Sequence, residues 1–206
     1  MSRAASVFLT LLAVTLLQGC ASLGGKELAL HGVELAPMSP SPQRATWQLL
    51  VEEPRSVAPV SGPRIVLRAR DGEYAVLPGV RWREPSPVLF QALLVEAFER
   101  CECLAGVARS SAAMRGEYLL ATELRAFELR DDGEGPPLAV AEASITLVRI
   151  SDGRAAGSQR VAHSIRAARR DAAAGIDALG LALNAVVAQT IQWTLAASAD
   201  SSAPSP

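Results

Sequence analysis

The chain has 206 residues, a formal net charge of −1 and 50% hydrophobic side chains, with 20 Lys and Arg against 21 Asp and Glu. That hydrophobic content excludes a disordered chain, and the length suffices for one domain with a real core. The balanced charge argues against nucleic-acid binding, which calls for a basic patch.

Met1, Ser2 and Arg3 form a short n-region with one positive charge, and Ala4 to Leu17 is an uncharged, mostly apolar run of about 14 residues. That length fits a secretory h-region and falls short of the roughly 20 residues that span a bilayer as a helix. Leu17-Gln18-Gly19-Cys20 follows and resembles a lipobox, with a branched residue three before the cysteine and a small one immediately before it. Gly19 lets the peptide enter a narrow peptidase site, and the thiol of Cys20 takes the diacylglyceryl group. The sequence therefore predicts a signal peptide over 1–19, cleavage between Gly19 and Cys20, and N-acyl and S-diacylglyceryl lipid on Cys20, with no other cofactor and no metal. Several acyl chains hold a protein durably at a bilayer, because each buried CH2 adds roughly 0.8 kcal/mol. Ala21, in place of Asp, resembles the pattern that sorts Gram-negative lipoproteins to the periplasmic face of the outer membrane. Removing 19 residues leaves 187, with 19 basic against 21 acidic groups.

Residues 20–45 read as the lipidated N-terminus and a flexible tether. Gly24, Gly25, Pro37, Pro40 and Pro42 break any sustained period, and only Leu28-Ala29-Leu30 is briefly amphipathic. Residues 46–198 read as one folded domain, and residues 199–206 as a disordered Ser/Pro/Ala tail. Within the domain, Thr46 to Glu52 and Arg64 to Arg70 predict strands. A short extended piece from Tyr74 to Leu77 follows, then a turn at Pro78-Gly79 and a further piece from Val80 to Trp82. Ser86-Pro87 predicts a helix start, with serine as the cap and proline in the first turn. Leu89, Leu93 and Ala97 lie beside Phe90, Leu94 and Phe98 in two i, i+4 rows, with Gln91, Glu96, Glu99 and Arg100 mostly on the other side. Leu104 to Ala108 predicts a strand. Glu117 to Arg130, Leu138 to Ile150 and Gln159 to Ala167 then predict an antiparallel meander, with a bulge near Arg125 to Glu128. Asp171 is placed to cap a last helix reaching about Ala197, in which Gly175 and Gly180 offer close approach to the sheet. The expected fold is α+β: a single domain with a mixed, largely antiparallel sheet and two main helices on one face.

Side chains that could carry chemistry are sparse. His31 falls in the tether and His163 on a strand, and two isolated histidines make no ligand pair. No Gly-x-Ser-x-Gly elbow and no phosphate loop occurs. Asp131, Asp132 and Glu134 read as a solvated hairpin, and Arg166, Arg169 and Arg170 as a solvated corner. For Cys101 and Cys103, reduced buried thiols or a strained disulfide rank first, an intermolecular bridge next and a metal pair last. Trp82, with Arg81 and Arg83 beside it, is a candidate partner contact; core packing, with one acceptor for its indole, is the stronger reading. Trp193 has a similar balance.

The order of motifs adds a further expectation. Trp47-Gln48-Leu49-Leu50-Val51, Arg64-Ile65-Val66-Leu67-Arg68 and Tyr74 come first. Arg81-Trp82-Arg83-Glu84-Pro85 then leads into the helix that ends Ala97-Phe98-Glu99, and Leu124-Arg125-Ala126-Phe127 follows. Over about residues 45 to 195 this series resembles the ABC-type transport auxiliary lipoprotein family. The Arg-Trp-x-x-Pro segment is its most specific piece. The resemblance implies a fold similar to the TolB N-terminal domain. It also implies a non-catalytic, outer-membrane-anchored, periplasm-facing component of an Mce-type ABC lipid transport system. Its implied partners are an Mce-domain periplasmic protein and an inner-membrane ABC transporter, and a homo-oligomeric ring is compatible with it. An interaction module regulating another envelope machine, such as a cell-wall synthase activator, is the alternative, followed by a periplasmic lipid-binding shuttle. Two features depart from the family: Trp47 stands where tyrosine is common, and the Cys101/Cys103 pair is not expected.

Overall fold

Three long strands frame the domain in the computed structural model, which describes residues 28–202. β7 (Tyr118–Arg130), β8 (Leu138–Arg149) and β9 (Ala155–Arg166) form an antiparallel meander. The other edge of β7 is shared by three short parallel strands in succession. β2 (Gln48–Val51) pairs with Tyr118 to Leu120, β3 (Arg55–Ser56) with Glu123 and Leu124, and β4 (Arg64–Arg68) with Glu128 to Arg130. Outside β2 lies β6 (Gly106–Arg109), parallel to it. Outside β4 lies β5 (Tyr74–Trp82), antiparallel, and β1 (Ala29–His31) closes that side, parallel to β5. The two long ladders are thus antiparallel, and the short ones are parallel except for β4 with β5. Helices α1 (Ser86–Arg100) and α2 (Ala172–Ser202) touch each other and cover one face, sharing a single hydrophobic core with the sheet.

Local chemistry explains these elements. Both predicted apolar rows of α1 are buried, and Pro87 occupies the first turn, where a missing N–H costs nothing. Two details of α1 differ from expectation. Ser86 is inside the helix; its Oγ donates to Gly62 O at 3.1 Å, and no side chain caps the N-terminus. Gln91 faces inward, not outward, because its Nε2 donates to Val51 O at 3.0 Å, which satisfies a carbonyl at the end of β2. In β7 the register shifts between Leu124 and Ala126. That bulge turns Arg125 outward onto Ser144 Oγ, and it brings Phe127 and Leu129 into the core alongside Leu120 and Leu124. Pro78-Gly79 does not turn the chain. β5 runs through it, Gly79 adopts φ 73°, and the register against β4 slips between Arg64 and Val66. A glycine bulge has replaced the expected turn.

α2 begins as predicted, with Ala174 N donating to Asp171 Oδ1 at 2.8 Å, and it continues through Ser202, beyond the boundary expected at 198. By length and composition it could cross a bilayer, but it packs on β8 and β9. Its buried Thr190 and Thr194 hydroxyls donate to the carbonyls of Val186 and Thr190. Its two glycines differ. A Cβ on Gly175 would lie 2.7 Å from Leu129 Cδ1 in the core, whereas one on Gly180 would meet only Val33 Cγ1 at 3.7 Å. Gly175→Ala should therefore destabilise by roughly 1–3 kcal/mol through overpacking. Gly180→Ala should stabilise by up to about 1 kcal/mol through helix propensity. Urea unfolding of the two variants measures both signs.

Residues 29–45 are not a free tether. β1 extends the sheet, and Val33, Leu35, Met38 and Ala45 pack against the core. The folded unit therefore starts well before residue 46.

Candidate functional site

The segment from β1 to Ala45 is strapped to the domain at three stations. At the sheet edge, Arg83 N donates to His31 O at 2.7 Å, and the Arg83 side chain lies beside Gly32. On α2, Asn184 holds the strap with both ends of its amide: Ala36 N donates to Oδ1 at 2.7 Å, and Nδ2 donates to Glu34 O at 2.9 Å. At the end of α1, Ser41 N and Ala45 N donate to the carbonyls of Cys101 and Cys103, and Arg44 Nε donates to Leu104 O. The two cysteines form an intrachain disulfide with Cα atoms 5.1 Å apart, and Glu102 between them sits at φ 50°. The disulfide thus shapes the loop that receives the strap, which favours one of the readings left open by the sequence over an intermolecular bridge or a metal pair. Asn184→Ala should lose roughly 1–2 kcal/mol, since each net hydrogen bond contributes about 0.5–1.5 kcal/mol. Limited proteolysis should then cut within residues 32–40 sooner than in the parent protein.

Gly19 and Cys20, the predicted cleavage and lipidation residues, lie outside the described residues. The structure separates the three predicted contact residues. Arg81 and Arg83 are exposed, while Trp82 between them is fully buried and stacks on Phe127 with ring centroids 5.0 Å apart. Trp82 is therefore corrected from candidate contact to core residue. Strand alternation drives its indole inward, onto the apolar face that α1 and Phe127 complete. Its Nε1 meets no acceptor among the described residues, so the hydrogen bond expected for a buried indole is absent. Trp193 is half-buried and packs close to Gly157 of β9.

The remaining polar candidates are engaged within the chain. His163 Nε2 lies 2.8 Å from Gln189 Oε1, a strand-to-helix contact. Arg166 and Arg170 reach back to the β7–β8 hairpin and pair with Asp132 at 3.0 Å and Asp131 at 2.7 Å. Arg169 pairs with Asp171 at 2.8 Å. The Asp132 carboxyl is held below the ordinary aspartate value, first by the backbone N–H of Glu134 and then by Arg166. Asp171 is lowered first by the N–H of Ala174 and then by Arg169. A folded-state pKa below the unfolded one contributes stability that is present above about pH 4 and is lost as pH falls through the folded values. The unfolding midpoint should therefore drop on acidification below about pH 4, and more gently in the Asp132→Asn, Asp171→Asn double variant.

No group of three or more His, Cys, Asp and Glu side chains suited to a metal occurs among the described residues. The clefts are open. One lined by Arg44, Trp47, Cys103 and Leu195 measures about 290 Å³, and another between Gly32, Val33 and Ile176, Gly180 about 390 Å³. Asn184 escaped the sequence reading, and Gln91 was placed on the outward side, because their partners are distant in the chain. The alternation of Val33 and Leu35 is the signal that the strap packs.

Comparison with known proteins is consistent along the same stretch. Residues 30–191 match the family described as ABC-type transport auxiliary lipoprotein component, so the match begins inside β1 and includes the strap. A crystal structure of a protein from Xanthomonas campestris is 30% identical, covers 84% of this chain and 99% of its own, and superposes with a TM-score of 0.78. A second solved structure, of an uncharacterised protein, has 15% identity, a TM-score of 0.64 and coverages of 81% and 98%; it shows the fold alone. An uncharacterised protein of Bradyrhizobium diazoefficiens is 26% identical over 163 residues, 78% of this chain. The chain spans only 42% of that curated relative's length.

Proposed function

The chain belongs to the ABC-type transport auxiliary lipoprotein family, and from that premise we propose that it is a non-catalytic accessory of an Mce-type ABC lipid transport system. In this reading, acyl chains on Cys20 hold it at the periplasmic face of the outer membrane. The domain meets an Mce-domain protein whose partner transporter lies in the inner membrane, and copies can assemble into a ring. The observation that supports a positional role is the strap. Cys20 stands eight positions before Leu28, and the chain from β1 to Ala45 is bonded to the sheet edge, to α2 and to the disulfide loop. Lipid at Cys20 would then limit the reach of the whole domain to the eight positions before Leu28.

Crosslinking in intact cells followed by pull-down of the lipidated full-length protein tests the assignment. An Mce-domain protein among the captured partners is the expected result. Capture of a cell-wall synthase without any Mce protein would replace it with the alternative.

A further inference from the structure

Seven large hydrophobic side chains are exposed among the described residues, and four of them gather at one edge of the sheet. Tyr74 (50% exposed) and Val76 (45%) stand on β5, and Leu30 (54%) stands on β1, with Leu28 (45%) just before it. Strand register places them on one face. Tyr74 and Val76 lie opposite Arg68 and Val66 of β4, the parity that also carries Arg64. The slip at the Gly79 bulge returns Arg81 to that side, opposite Arg64, and Leu30 is the register partner of Arg81 on β1. Leu28 is two residues before Leu30 and shares its side. Ile65 and Trp82, of opposite parity, belong to the core shared with the helices, while Val66, on the side of the four, is buried outside that core. The four apolar side chains therefore occupy the face turned away from the helices.

Two arginines on this face have no acidic partner among the described residues, whereas the buried Glu128, register partner of Val66 on the same face, serves Arg68 and Arg130. Arg64 and Arg81 are exposed and directly opposed across β4 and β5, and neither makes an ion pair among the described residues. Like charges placed opposite each other across strands disfavour the sheet unless something anionic lies between or above them. Arg68 holds its guanidinium 5.8 Å over the Tyr74 ring while also facing Glu128 at 3.8 Å. An exposed tyrosine with leucine and valine, flanked by arginines, has the composition of a surface at the level of lipid headgroups.

The chain's exit fixes which anionic partner is near. It enters the domain at Leu28, on this same edge. Cys20 is only eight residues earlier, so even a fully extended link reaches no more than about 28 Å. We propose that this edge rests on the bilayer that holds the lipid of Cys20. Leu28, Leu30, Tyr74 and Val76 lie at the headgroup boundary, and Arg64 and Arg81 lie on lipid phosphates. The proposal depends on the lipid anchor of the preceding section and adds the face that the anchor presses against the membrane.

The test uses the mature lipidated protein reconstituted in phosphatidylethanolamine and phosphatidylglycerol vesicles. With Cys20 acylated and Cys101 bonded to Cys103, Val76→Cys supplies a single free thiol for a fluorophore. Ala188→Cys, on an exposed position of α2, supplies the control. A lipid-borne quencher should quench the label at position 76 several-fold more than the label at 188. Arg64→Glu with Arg81→Glu should reduce that difference to the level seen on neutral phosphatidylcholine vesicles. Equal quenching at both positions while the protein floats with vesicles overturns the docking face and leaves the anchor standing. Efficient crosslinking between copies through position 76 shows that a second copy covers the face, and it too overturns the proposal. Failure to float removes the anchor and the docking together.

Discussion

Replacing Trp82 by alanine should lower the unfolding free energy by roughly 3–5 kcal/mol, the usual loss when a buried aromatic is truncated. The side chain is 0% exposed and stacked on Phe127 with an interplanar angle of 18°, so its removal opens a cavity and also breaks an aromatic pair. Arg81→Ala and Arg83→Ala, one residue to either side, should each change stability by no more than about 0.5 kcal/mol, because their side chains are exposed. Trp82→Phe should recover much of the alanine loss. It keeps ring against ring and removes an N–H that has no acceptor among the described residues. Urea unfolding of the four variants decides the matter. A Trp82→Ala protein of near-parent stability that loses partner capture would restore Trp82 as a contact residue.

Cys20→Ala should have the largest effect on function. With no thiol to acylate, the chain should be released from membranes entirely, and complementation of a deletion strain should be lost with it. The reason is energetic: a single acyl chain binds a bilayer only marginally, whereas several bind it durably. Fractionation reads the first effect and growth of the complemented strain the second. A soluble Cys20→Ala protein that still complements would mean that the domain acts without being held in place.

The sequence reveals the parts of the fold that are governed by local period. The two i, i+4 rows of α1, the alternation along β7 to β9, the bulge at Arg125 and the Asp171 cap all depend on neighbours within a turn or a hairpin. What it hides depends on distant partners. β1 is three residues long and pairs in parallel with β5, so it has neither a turn nor enough alternation to announce itself. Asn184 reads as an ordinary helix residue until Glu34 and Ala36 arrive across a separation of about 150 positions. The Arg81-Trp82-Arg83 triplet shows alternation but not which side is inside. Phe127, brought inward by the β7 bulge, settles that. Pro78-Gly79 carries a turn's composition, yet the residues before it pair with β4 up to Val76 and those after it pair with β1 from Val80 and with β4 at Arg81, so the glycine bends the strand locally without reversing it.

The most direct measurement is the intact mass and N-terminal sequence of the protein extracted from cell membranes. A chain that begins at Cys20, blocked to sequencing and heavier than its residues by a diacylglyceryl and an amide-linked acyl group, is the expected result. A chain that begins at Met1 with no mass added at the Cys20 thiol would contradict the lipid-held placement on which the proposed function depends.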